Sequence, residues 1–237
     1  MISVVTPSVR PEMLAFVDKC LKRQTFKEWE WIVISPIESE FGNWVQDPPK
    51  RKEDFYRLNG AWNAGFKKAK GDLIISIQDG IWFPPDMLQK FWDHYQTNPK
   101  AIVGAIGYQY ERIENGKPEG QMWRDPRATT NHGSFYECTP KDVEWSVCSM
   151  PRQALFDVGG LDEEFDKYAA LSEKECNIRM DMMRYKTNLD QSIEYRALHH
   201  PRLSADWDEH YFKGCEYFDK CMKEILNGTR KKLDYLS

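Results

Sequence analysis

Long apolar runs, paired cysteines and an excess of one charge are all missing from this 237-residue chain, and each absence closes off a class of protein. No stretch approaches the roughly 20 apolar residues of a membrane helix, so no integral membrane segment is expected. The six cysteines, Cys20, Cys138, Cys148, Cys176, Cys215 and Cys221, make no C-x-x-C pair and no dense framework. Reduced thiols in a cytoplasmic protein are the expectation, and the first strand opens at Ile2 with no room for a signal peptide. With 33 basic against 37 acidic residues, the formal charge is −4. That balance gives no global attraction for a phosphate backbone, so nucleic acid is an unexpected partner unless a local basic patch exists. Nucleotide motifs are missing as well: neither G-x-G-x-x-G nor G-x-x-x-x-G-K-[ST] occurs, which argues against dinucleotide and P-loop folds. The absence of H-E-x-x-H and G-x-S-x-G counts against metalloproteases and α/β-hydrolases.

The first half instead shows strand and helix periods in alternation. Apolar runs at 2–6, 31–35, 73–77 and 101–108 read as strands, and helical spacing marks 11–24, 55–70 and 85–96. The resulting β-α-β-α-β-α-β succession predicts an α/β fold with a mostly parallel sheet covered by helices on both faces. The second half is less regular. Residues 111–140 carry charges, Gly and Pro without a period and read as a long excursion. A strand around 143–150, a short helix over 151–158, a helix over 172–185, a strand over 193–198 and an amphipathic helix over 211–226 follow. Ser172 and Glu175 have the spacing of an S-x-x-E capping box. Without a repeat or linker, the chain reads as one domain: 1–110 as a nucleotide-binding half, 111–210 as an acceptor-side half, and 211–237 as a terminal helix and tail.

Ligands of open α/β sheets bind beyond the carboxyl ends of the parallel strands. In "GDLIISIQDGIWFPPDML" a buried strand surfaces at Gln78-Asp79-Gly80. Asp-Gly is common in turns, so Asp79 alone reads as a turn residue. A carboxylate there also suits a hard divalent ion, Mg²⁺ or Mn²⁺, bridging diphosphate oxygens, and Mn²⁺ accepts imidazole too. His199 and His200 follow a late strand. Neighbouring strand residues face opposite ways, so one of the two is expected to reach such a site and the sequence does not choose between them.

Three segments together, "SVVTPSVRPEMLAFVDKCLKRQTFKEWEWIVIS", "RLNGAWNAGFKKAKGDLIISIQDGIWFPPDML" and "FDVGGLDEEFDKYAALSEKECNIRM", resemble family 2 glycosyltransferases of the GT-A fold. The most specific element is N-x-G-x-x-x-A-x-G-D-x-I, from Asn63 to Ile74, ahead of the acidic strand end. The resemblance implies transfer of a sugar, with inversion, from a nucleotide-diphosphate sugar to a hydroxyl of a saccharide or glycoconjugate acceptor, assisted by Mn²⁺ or Mg²⁺. It places the D-x-D motif on Gln78, Asp79 and Gly80, with Asp79 as the remaining carboxylate. Thr6, Pro7, Ser8 and Arg10 fall on the nucleotide-lining first turn, and Arg57 and Asn63 on the arginine and asparagine ahead of the motif. Glu173 falls on the catalytic base, and His199 or His200 on the late metal-ligating histidine. The acidic uracil contact usual after the second strand is replaced by Ser35-Pro36-Ile37. Two other readings stand beside this one: a relative that binds nucleotide or glycan without turnover, and a transferase acting on a nucleic-acid base or a protein.

Overall fold

A strand buried at nearly every position offers no face to water and must be covered on both sides. Strands β1 (Ile2–Pro7), β2 (Trp29–Ser35) and the segment Leu73–Ile77 are of this kind, with only Trp29 and Glu30 partly exposed, and they belong to a 10-stranded sheet. The structure, a computed structural model, describes residues 1–114, 117–129, 133–169, 171–199 and 206–236. A short strand that the sequence reading missed, β3 (Asn43–Gln46), pairs in parallel with the edge of β2. β4 (Leu73–Ile77) lies parallel to β1 on its other side. The remaining strands are β5 (Ile81–Trp82), β6 (Ala101–Glu114), β7 (Lys117–Arg124), β8 (Phe135–Glu137), β9 (Val147–Pro151) and β10 (Lys186–Leu198). The sheet order is β3-β2-β1-β4-β9-β6-β10-β5, with β7 paired to β6 and β8 to β10.

β9 is antiparallel to both β4 and β6, so the two reversals cancel. β3, β2, β1, β4, β6 and β10 therefore run in one direction, and the sheet is mostly parallel as expected. The crossover is not the simple sequential one that the alternation suggested. A strand from the second half of the chain fills the slot between β4 and β6, because its Val147, Cys148 and Met150 side chains are as fully buried as those of its neighbours.

Helices cover both faces. On one side α1 (Pro11–Lys22) and α3 (Met87–Thr97) bury Leu14, Val17 and Phe91 against Val4 and Ile75. On the other, α2 (Leu58–Lys68), α4 (Arg152–Val158) and α5 (Ser172–Met182) bury Trp62, Phe66, Leu155 and Met180 against Val5 and Ile34. α6 (Trp207–Leu226) lays Phe218 and Cys221 onto Phe165. No helix among the described residues is long and apolar enough to cross a membrane.

Two expectations are corrected. The excursion over 111–140 is largely ordered pairing: β6 continues to Glu114 and β7 returns beside it. The capping box does not form. Leu171, with φ 75°, is the residue that precedes α5, and Ser172 is the first helical residue with no capping bond. Glu175 turns inward because two guanidinium groups meet it there: Arg179 donates to both its oxygens at 2.8 and 2.9 Å, and Arg230 donates at 2.8 Å.

Candidate active site

Parallel pairing of β1 with β4 brings their carboxyl ends together, and with them Ser8 and Asp79. The Ser8 hydroxyl donates to Asp79 Oδ2 at 2.7 Å, and Arg10 Nε donates to the same oxygen at 3.2 Å. Arg10 Nη2 bonds the other oxygen, Oδ1, and the Arg10 amide donates back to Ser8 Oγ at 3.0 Å. Asp79 is buried, and a buried carboxylate needs such compensation. It is more than a turn former: a serine and an arginine from the first strand's turn are organised around it.

A cleft of about 670 Å³ opens over these strand ends. Pro7, Ser8, Arg10, Gln78 and Asp79 line its floor, Arg57 stands on one wall, and Glu173, at the start of α5, stands on another. Of the residues singled out in the sequence, the fold gathers these seven. Thr6 is displaced from the cleft: it is buried, and its hydroxyl accepts from Trp31 Nε1 at 3.0 Å. Asn63 is also withdrawn. Its amide donates to Leu161 O at 2.9 Å and to Glu163 at 3.1 Å while its oxygen accepts from the Leu161 amide at 2.9 Å, which makes it a clamp on the loop before α5. Arg57 reaches the cleft with its charge already answered by Glu163 at 2.9 Å and Asp166 at 3.2 Å. His199 is exposed and lines neither this cleft nor its neighbour; its amide donates to Tyr110 O at 2.7 Å. His200 lies outside the described residues.

Glu173 is half-buried, and the Ser172 hydroxyl donates to it at 3.4 Å. Desolvation pushes its carboxyl up, and the neighbouring Glu144 adds to the rise. Sequence reasoning passed over Glu144, Asp47, Trp207 and Tyr211, all of which line the cleft. Asp47 is informative. It follows β3, its amide donates to Ser35 O at 3.1 Å, and its Oδ1 is buried without a hydrogen-bond partner among the described residues. Burial pushes its carboxyl up to about 6, with Arg57 opposing the rise. A cleft-lining carboxylate thus stands beyond β3, one strand further out than the Ser35-Pro36-Ile37 segment after β2.

Among the described residues no three His, Cys, Asp or Glu side chains gather to hold a metal ion. An ion that arrives with a diphosphate asks for only one or two protein carboxylates. Asp79 fits that minimal role, provided that Arg10 releases it.

Residues 50–160 match the profile of Glycosyl transferase family 2. The resemblance to family 2 glycosyltransferases of the GT-A fold holds. No curated protein matches the chain. Among solved structures, GalNAc-T7 with UDP, GalNAc and Mn²⁺ aligns over 94% of this chain and 50% of its own, with a TM-score of 0.65 and 13% identity. Staphylococcus aureus TarS 1–349 in complex with UDP-GlcNAc aligns over 93% of this chain and 66% of its own, with a TM-score of 0.64 and 12% identity. Its complex with UDP aligns over 93% and 65%, with a TM-score of 0.60 and 13% identity. The chain thus spans half to just under two-thirds of these structures, and at this identity the likeness is one of fold.

Proposed function

We propose that this chain transfers a sugar from a nucleotide-diphosphate sugar to an acceptor hydroxyl, with inversion, in saccharide or glycoconjugate assembly. The observation that carries this reading is the single cleft joining the Ser8–Arg10–Asp79 cluster to Glu173. The family 2 match, and solved structures of the same fold that hold UDP or UDP-GlcNAc, support it. In this reading the diphosphate lies at the ends of β1 and β4, and Arg10 faces it. The acceptor oxygen bonds to the anomeric carbon as the bond from that carbon to the phosphate oxygen breaks, and Glu173 takes the acceptor proton. A divalent ion held by Asp79 would neutralise charge on the departing diphosphate. Thermal-shift measurements with nucleoside diphosphates and nucleotide sugars, with and without Mn²⁺, test the donor by mass action. No stabilisation by any nucleotide sugar, together with no release of nucleotide, would refute the reading. The full engagement of Asp79 by Arg10 and Ser8 favours a second reading, a binder without turnover; donor binding with no sugar released or transferred would establish it.

Exchange at Asp79 has a measurable consequence. Arg10→Gln removes the cation that competes for the carboxylate, so nucleotide-free protein is expected to bind Mn²⁺ more tightly while losing UDP affinity. Calorimetry with Mn²⁺ and then with UDP reads the two changes separately, and a parallel fall in both would contradict the exchange.

Asp47 supports a uracil base. Its unpartnered oxygen suits the imide N–H of uracil, whereas cytosine presents an acceptor at that ring position. UDP is therefore expected to bind about tenfold more tightly than CDP, in keeping with a charged hydrogen bond. Asp47→Ala should narrow the gap. Because the carboxyl titrates near 6, the preference should hold above that pH and fade below it as the group protonates. Equal affinities for both nucleotides at pH 8 would remove Asp47 from this role.

A further inference from the structure

A second cavity of about 250 Å³ opens beside the cleft and shares Gln78, Asp79, Glu144 and Ser146 with it. Strand register explains its floor. Ile81 lies opposite Ala197, Ala197 opposite Gln109, Gly107 opposite Tyr195, and Gln109 opposite Trp123. Opposed residues, and alternate residues along one strand, share a face. These six therefore form one continuous face, and all six line the cavity. Gly107 is required there: a Cβ would stand 2.5 Å from the Tyr195 hydroxyl, so a side chain at that position would push Tyr195 off the floor. Ala197 is short, and the shallow middle is bounded by Trp123, which is 45% exposed at the start of the β6–β7 ribbon.

The lining has a definite chemistry. An indole face suits the C–H face of a pyranose ring, and such rings with one apolar side and polar edges match an aromatic wall beside amides and carboxylates. Gln78, Gln109 and Ser146 offer donors and acceptors for ring hydroxyls. Among the described lining residues none is Lys or Arg, whereas Asp79 and Glu144 are both acids. Arg10 already pairs with Asp79 from outside this lining, so an anionic ligand would find no basic side chain of the cavity to receive it and would meet the carboxylate of Glu144.

We propose that this side cavity is the acceptor subsite, and that the acceptor is an uncharged saccharide whose terminal ring stacks on Trp123 with a hydroxyl directed across the Glu144–Ser146 border into the cleft. The inference rests on the glycosyl-transfer reading and narrows its acceptor: a uronic acid, a phosphorylated glycan and a nucleic acid are all disfavoured by the lining charge.

Saturation-transfer NMR with methyl β-glucopyranoside, methyl N-acetyl-β-glucosaminide and methyl β-glucuronide, in the presence of UDP, tests it. The neutral glycosides are expected to receive saturation and the glucuronide not. Trp123→Ala should weaken neutral-glycoside binding about tenfold, and Trp123→Phe should retain most of it. Trp123 is a surface side chain, so an unchanged melting temperature is expected to show that both variants fold. Failure of the neutral glycosides to bind, equal binding by Trp123→Ala, or preference for the glucuronide would each overturn the proposal. UDP affinity, measured separately by calorimetry on the unaltered protein, distinguishes the two levels. Trp123-dependent glycoside binding without UDP binding would refute the donor reading and the acceptor role with it, while UDP binding without glycoside binding would refute the acceptor subsite alone.

Discussion

Glu173→Gln is expected to slow sugar transfer by about 10²–10⁴-fold with UDP affinity nearly unchanged, the range for a positioned general base. The acceptor hydroxyl must lose its proton as the new bond forms, and glutamine keeps the shape of the side chain without accepting that proton. An interaction used mainly in the transition state lowers kcat and leaves donor binding alone. The environment of Glu173 suits this role. Among the described residues it makes no ion pair, its contact with Ser172 is long at 3.4 Å, and desolvation with help from Glu144 raises its carboxyl. The direction of that shift sets two further signs. Turnover requires the ionised form, so the rate should fall with decreasing pH at a higher pH than an ordinary glutamate would give. Folding, by contrast, favours the protonated form, so ionised Glu173 costs stability above its raised pKa and Glu173→Gln should melt no lower than the unaltered protein at neutral pH. Glu144 is the control, since it lines the same cleft close by. If Glu144→Gln loses more turnover than Glu173→Gln, the base is Glu144.

What the sequence made visible, and what it hid, follows from where each signal is stored. β4 is continuous, apolar and short, so its ends at Leu73 and Ile77 are readable from the residues alone. Asp79 was readable for the same reason, because the acid stands at the break of that pattern. The β6–β7 ribbon was not. Glu111, Arg112, Glu114, Glu119 and Gln121 are exposed, so among the described side chains the ribbon shows no buried residue there to set up an alternation. β3 is four residues at a sheet edge with no fully buried side chain, so it too lacks a period, and Asp47 was hidden with it. Asn63 and Arg57 illustrate a different limit. Their partners, Leu161, Glu163 and Asp166, lie about a hundred positions away along the chain, and no local pattern tells a clamp from a ligand contact.

The other large effect is on stability. Glu175→Gln is expected to cost about 3–5 kcal/mol, the range for removing one partner of a buried ion pair. For a chain of this size roughly 2–4 °C is lost per kcal/mol, so the melting temperature should fall by about 10 °C. Had Glu175 completed a capping box, the loss would be about 1 kcal/mol, a few degrees at most. The geometry decides between these magnitudes. Glu175 and Arg179 are buried; Arg179 also donates to Val158 O at 2.6 Å and Gly160 O at 2.8 Å, so it cannot turn away to solvent without breaking those bonds. Arg230 bridges the same carboxylate to Asp162, which accepts further from Tyr217 at 2.7 Å and Tyr235 at 3.1 Å. The network thereby ties the C-terminal segment to α5 and to the loop that Asn63 clamps, and this holds Glu173 over the cleft. Burial alone would raise Asp162, but the Glu164 amide, Arg230 and Tyr217 outweigh it and hold its carboxyl below the ordinary value. Its contribution to stability is therefore present above the ordinary carboxylate range and is lost as pH falls through the lowered value. Thermal melts of Glu173→Gln and Glu175→Gln at pH 7 separate the two neighbours: the first should keep its melting temperature and lose turnover, the second should lose its melting temperature and, assayed well below it, keep most of its turnover. A drop of only a few degrees for Glu175→Gln would mean that the two arginines find other partners and that the network does not anchor α5.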